Sequence, residues 1–250
     1  MRKLSMLLMG LFILNFSQAQ MSVSESLKNH YQKTYQQALE CNDINVAINS
    51  IQNIIAETNG DEKIVLKDTL SMLYFASKSY YPSLVLSKEV YKANPNNINA
   101  LARAAESNQN LGEIKSAIED YEKATPILKS PYYYYQLAAC QYGMKRYIEC
   151  ENTINKILAD SNSNKTAVTF ILPNGAEQQV PASAGALNMA AIMKMDTKNY
   201  AMAKTYLEAA LKSYPDFEGA KQNLNYCNDA LKGPKASKPA ATTNKPKGKG

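Results

Sequence analysis

INALARAAESNQNLGEIKSAIEDYEKATPIL, residues 98–128, places Gly112 between two helical patterns. Ala117, Tyr121 and Ala124 follow the glycine, and Leu101, Ala104 and Ala105 precede it. The small residues stand where two helices of a pair must approach closely. The same phrase returns about 34 residues away in both directions, and a period of that length signals stacked helical hairpins. Such an architecture points to a protein that binds other proteins and away from one that does chemistry.

Five units begin near Lys28, Ile64, Ile98, Pro131 and Ala184. The first four are spaced by 36, 34 and 33 residues, and the fifth is displaced by an insertion. Each unit is expected to form two amphipathic helices, with apolar residues three and four apart. Leu70 and Tyr74 line the first helix of the second unit, and Leu84 and Val90 line its second helix. Asn94-Pro95-Asn96-Asn97 closes that unit, because proline cannot continue a helix and asparagine tolerates the turn. In the fourth unit Tyr134, Leu137 and Ala138 face Tyr147, Cys150 and Ile154. In the fifth, Leu187, Ala190 and Ala191 face Tyr200, Ala203, Leu207 and Ala210, ending at Pro215. The first unit fits more loosely, through Tyr31, Tyr35, Ala47, Ile51 and Ile54.

These units resemble the tetratricopeptide repeat family. The third matches its motif through Gly112, Ala117, Tyr121 and Ala124, and the fifth through Tyr200, Ala203, Ala210 and Pro215. The resemblance runs from Lys28 to Leu231 apart from the insertion. Ser83 and Ser87 depart from the motif, and the third unit ends in Leu128-Lys129 without its proline. The resemblance implies an all-α fold: a right-handed superhelical array of about five helix hairpins over units 28–63, 64–97, 98–130, 131–160 and 184–217. A helix over 218–231, with Leu224 and Leu231 facing inward, is expected to cap the array, since a last hairpin otherwise leaves an apolar face wet.

The insertion, 161–183, breaks the helical pattern. Residues 167–172 are strand-like, Pro173-Asn174-Gly175 reads as a turn, and Ala176 to Val180 can return as a partner strand. An inserted β-hairpin is expected. Two readings stand side by side: a tolerated loop, or a docking element in which Phe170 and Ile171 need cover and the strand edge pairs with another chain.

Both ends differ from the body. Arg2 and Lys3 precede an apolar run from Leu4 to Phe16 that is short for a bilayer span, and Ser17-Gln18-Ala19 suits cleavage after Ala19. Residues 1–19 therefore read as a signal peptide, and no Cys follows for a lipid anchor. Export is expected, to the periplasm first, with secretion or outer-membrane association as alternatives. The tail 232–250 is rich in Lys, Pro, Ala, Thr and Gly, which suits disorder. The formal charge is +6, but eight positives lie in the signal and tail, leaving the body near −2. A nucleic-acid-binding domain would need its basic residues on a folded face, so no nucleic-acid partner is expected. Cys41, Cys140, Cys150 and Cys227 are widely spaced without metal-site spacing. Packing roles are expected for them, with a Cys140–Cys150 bridge as the alternative that an oxidising compartment permits.

The family resemblance also implies a binding groove, lined by the second, fifth, ninth, twelfth and thirteenth places of each unit. Carried over, these include Val65, Asp68, Met72 and Phe75 in the second unit, and Asn99, Ala102 and Glu106 in the third. The fourth contributes Tyr132, Tyr135 and Tyr142, and the fifth Asn188. Tyrosines suit recognition surfaces because they bury large area at low entropic cost. The acidic-peptide clamp of one subfamily needs Lys and Arg at groove places, and none stands there. No catalytic motif, phosphate loop or cofactor box is present, and His30 is the only histidine. A non-enzymatic adaptor or scaffold of the cell envelope, binding a peptide or partner domain, is the favoured function. The alternative is an envelope-associated structural protein whose basic tail contacts anionic polymer.

Overall fold

Five times among the described residues a helix stops two residues before a backbone with positive φ, and a new helix starts two residues after it. The computed structural model describes residues 23–172 and 174–232. The signal segment, all but the first residue of the tail, and Pro173 of the expected turn lie outside them. The helix pairs are α1 (23–40) with α2 (Ile44–Ala56), α3 (Asp61–Ala76) with α4 (Tyr80–Ala93), and α5 (Ile98–Asn110) with α6 (Ile114–Leu128). Next come α7 (Pro131–Gly143) with α8 (Tyr147–Ala159), and α9 (Ala182–Asp196) with α10 (Tyr200–Ser213), followed by α11 (Glu218–Leu231).

The left-handed residues of these five turns are Asn42, Lys78, Gly112, Lys145 and Lys198. After each, the next backbone N–H reaches back to the carbonyl five residues earlier. Asp43 bonds Ala38 at 2.8 Å, Ser79 bonds Tyr74 at 2.8 Å and Glu113 bonds Asn108 at 2.9 Å; Arg146 bonds Gln141 at 2.9 Å and Asn199 bonds Lys194 at 2.8 Å. This satisfies carbonyls that the end of a helix would otherwise leave unpaired. The side chains of Asp43 and Asn199 then cap the following helices, accepting from the N–H groups of Val46 and Met202.

Each pair closes over one small place: Ala47, Ser83, Ala117, Cys150 and Ala203, all fully buried. Where the residue is polar, it bonds the carbonyl twelve residues earlier. Ser83 Oγ donates to Ser71 at 2.9 Å, and Cys150 Sγ donates to Ala138 at 3.3 Å. Around these places pack Ile48, Ile51, Ile54 and Leu70 in one cluster, and Ile118, Tyr121, Leu137 and Cys140 in another. Each large aliphatic side chain so buried contributes about 1.5–3 kcal/mol. No disulfide joins Cys140 to Cys150 or involves either of the other two cysteines.

Pro95 and Pro215 stop α4 and α10. The residues before them, Asn94 and Tyr214, are extended, with φ of −135° and −142°, as the proline ring requires of its predecessor. The described residues form two compact bodies, up to Thr153 and from Ile154, the boundary falling within α8.

In the second body α11 packs on α10 and α9, burying Gly219, Ala220 and Cys227. At the places where α5 carries buried Leu101 and Ala105, α11 carries exposed Lys221 and Asn225. That polar face offers nothing for a further helix to bury.

The insertion forms the antiparallel strands β1 (Ala167–Ile171) and β2 (Glu177–Pro181), with Val168 opposite Val180 and Phe170 opposite Gln178. Gly175 takes φ +81° in the turn, a conformation glycine adopts without a Cβ clash. Val168 and Val180 are buried, on the face of the hairpin that also carries Phe170 and Gln178. The Phe170 ring meets the Phe217 ring edge-on at 5.0 Å. Gln178 donates to the Asp216 carbonyl at 2.6 Å and accepts from the Glu218 N–H at 3.1 Å. The hairpin is thereby fastened to the start of α11. Phe170, one of the two hairpin residues expected to need cover, is half-buried against this part of the fold. Its neighbour Ile171 points the other way and is 65 % exposed. Among the described residues no helix is long and apolar enough to cross a membrane.

Candidate functional site

The first helices of the units repeat their side chains at matching places, so each place forms a row across α3, α5 and α7 in the first body. The second-place row is Val65, Asn99 and Tyr132. Val65 is 66 % exposed, Asn99 is exposed and Tyr132 is half-buried. The ninth-place row is Met72, Glu106 and Ala139; Met72 is 47 % exposed and the other two are half-buried. Between these rows lie Asp68, Ala102 and Tyr135, the last two buried.

Polar contacts bind the three helices together. Asp68 accepts from Arg103 at one oxygen and from Asn97 at the other, 2.8 Å away. Arg103 also donates to Ser87 Oγ at 3.0 Å. Glu106 accepts from the Tyr132 hydroxyl at 2.7 Å, and Gln109 bonds Gln136 at 3.1 Å and the Tyr121 hydroxyl at 2.7 Å. Burial holds the Glu106 carboxyl above the ordinary glutamate range, against the pull of Tyr132 and Arg103. Burial and the neighbouring Glu106 carboxylate together raise the Tyr132 hydroxyl. The result is a surface with exposed aliphatic groups at one end and a half-buried carboxylate toward the middle.

No protein-family model matches the sequence and no curated protein is similar to it. Solved structures are. A tetratricopeptide repeat protein from Parabacteroides merdae superposes with a TM-score of 0.64 at 14 % identity, covering 83 % of this chain and 74 % of the other. The MamA protein of Desulfovibrio magneticus gives 0.60 at 12 % identity, covering 77 % of this chain and 97 % of that one. YrrB, described as a tetratricopeptide repeat protein with an unusual peptide-binding site, gives 0.60 at 12 % identity, covering 77 % and 89 %. The fold is that of tetratricopeptide repeat proteins.

Within the tetratricopeptide fold, two expected groove residues stand elsewhere than the sequence suggested. Tyr135 is 7 % exposed, and burial pushes its hydroxyl up to about 12. Asn188 is fully buried and accepts from Asn223 of α11 at 2.9 Å. Phe170, expected as a docking residue of the hairpin, is half-buried against Phe217. Tyr135 and Asn188 share the fifth place of the repeat, as do Asp68 and buried Ala102. Asp68 bonds residues at and near the start of the next first helix, and Asn188 bonds the capping helix in the same way. The fifth place thus faces the neighbouring helix rather than open surface.

Phe75 and Tyr142, at the twelfth place, curl over their turns onto the opening residue of the second helix. Their rings lie 5.6 Å from Tyr80 and 6.1 Å from Tyr147. Tyr133, which sequence reasoning passed over, packs against both the Leu101–Ala124 and the Ala117–Tyr121 clusters. Val65, Met72, Asn99, Glu106 and Tyr132 remain together on one accessible face. Among the described residues no three His, Cys, Asp or Glu side chains gather as metal ligands would.

Proposed function

We propose that this chain is a non-enzymatic scaffold that holds an extended protein segment against the face of α3, α5 and α7. The observation that carries the reading is the exposure of Val65 and Met72 on a helix face whose carboxylates Asp68 and Glu106 are each bonded to a neighbouring unit. A monomeric array gains nothing from wetting two large aliphatic side chains there, whereas a partner segment would bury them. The sequence of the first twenty residues supports export, so the scaffold is proposed to act in the cell envelope. The description of YrrB, which shares the fold, as having a peptide-binding site supports the reading.

The test is affinity capture from envelope extracts of the source cells. The bait is the chain lacking residues 1–19, compared with Val65→Ser/Met72→Ser and with Tyr81→Ser, which alters the exposed outer side of α4. A partner lost only with the first variant supports the proposal. Partners unchanged in that variant and lost with Tyr81→Ser would place binding on the outer side instead.

A further inference from the structure

We infer that the segment held on this face carries a lysine or arginine flanked by apolar residues, with the cation bonded to Glu106; the inference rests on the binding reading above. The face has two carboxylates, and only one has an oxygen without a donor. Asp68 has both oxygens occupied, by Arg103 and by Asn97. Glu106 accepts from Tyr132 through Oε1, and no donor among the described residues bonds its Oε2. Its flanking places in the same row are Met72, exposed and apolar, and Ala139, too short to cover it.

Among the described residues no cation competes for that oxygen by direct contact. The groove places of α3, α5 and α7 contain no Lys or Arg. Arg103, the cation nearest in sequence, is held by Asp68 and Ser87, and Lys67 is paired with Glu89 at 2.6 Å. An acidic segment would meet a carboxylate and no free cation, and a wholly apolar one would leave that carboxylate still less hydrated. A basic group beside an apolar residue meets both parts of the surface: the cation on Glu106, the apolar neighbour on Met72 and Val65. Exposed Asn99 and Asn110 can bond the backbone of such a segment. The raised carboxyl of Glu106 agrees with this, since a cation would stabilise the charge that burial disfavours.

The experiment is selection of a random dodecapeptide library on the whole chain without residues 1–19, repeated on Glu106→Gln and on Val65→Ser/Met72→Ser. Gln keeps an oxygen for Tyr132, and a thermal melt of each variant establishes that it folds. Selected peptides are expected to be rich in Lys or Arg beside apolar residues. A representative synthetic peptide should bind Glu106→Gln roughly tenfold or more weakly, the loss of one charged hydrogen bond, with less salt dependence. Selected peptides without basic enrichment, or basic ones bound equally by Glu106→Gln, would overturn the inference while leaving the groove reading intact if Val65→Ser/Met72→Ser still abolishes binding. No selected peptide, or binding that survives the Val65/Met72 changes, would overturn both.

Discussion

The Phe170 ring of the hairpin rests on the backbone of Gly219 in the first turn of α11. A methyl group at Gly219 would stand 2.8 Å from Phe170 Cζ and closer still to Cε1. Replacing Gly219 by alanine should therefore lever the hairpin off α11 and lower stability by about 1–3 kcal/mol, the usual cost of overpacking. Urea unfolding measures this. In a Phe170→Ala background the same change should cost much less, because the two residues are coupled by contact. Equal costs in both backgrounds would refute the contact.

Three of the five left-handed turn residues are lysines: Lys78, Lys145 and Lys198. A lysine Cβ is strained there and a glycine has none. Lys→Gly at any of the three should raise stability by about 0.5–1 kcal/mol, and Gly112→Ala should lower it by a similar amount. Thermal melts of the four single variants test the pattern directly.

The folded state raises the Glu106 carboxyl above its ordinary value, so the folded chain binds that proton more readily than the unfolded chain. Stability contributed by protonation is then present at acid pH and is lost as pH rises from the ordinary glutamate value through the raised one. Glu106→Gln, which cannot ionise, should melt higher than the wild type at pH 7, and the gap should shrink toward pH 4. A gap that widens on acidification would contradict the assignment. A carboxylate that costs the fold stability on a binding face fits a role in recognition.

Burial pushes the Cys140 and Cys150 thiols up to about 12, and Cys227 is also buried, while Cys41 is exposed in the first turn. At pH 8 the native protein should react quickly with a thiol reagent at Cys41 alone, and at all four cysteines in denaturant. Rapid modification of a second thiol in the native protein would show that the core opens readily.

Much of this was legible in the residues. Gly112, Ala117, Tyr121 and Ala124 identify the hairpin because close helix approach demands small residues at fixed spacing, and Pro95 and Pro215 mark its ends by a backbone rule. Residues 167–180 reveal a hairpin through a strand pattern broken by Asn174-Gly175. What the sequence hid depends on neighbours. Tyr135 and Asn188 look like groove residues from their place in the repeat, but the fifth place is covered by whatever helix stacks next. Phe170 reads as exposed until Gly219 and Phe217, about fifty residues away, are folded against it. The bond between Tyr132 and Glu106 joins two units and has no local signal in either.

If partners lie against the face of α3, α5 and α7, a photo-crosslinking amino acid placed at Met72 in living cells should capture them. A discrete crosslinked product from position 72, with none from the same group at Tyr81, is the predicted result. Crosslinking from position 81 and none from position 72 would contradict it.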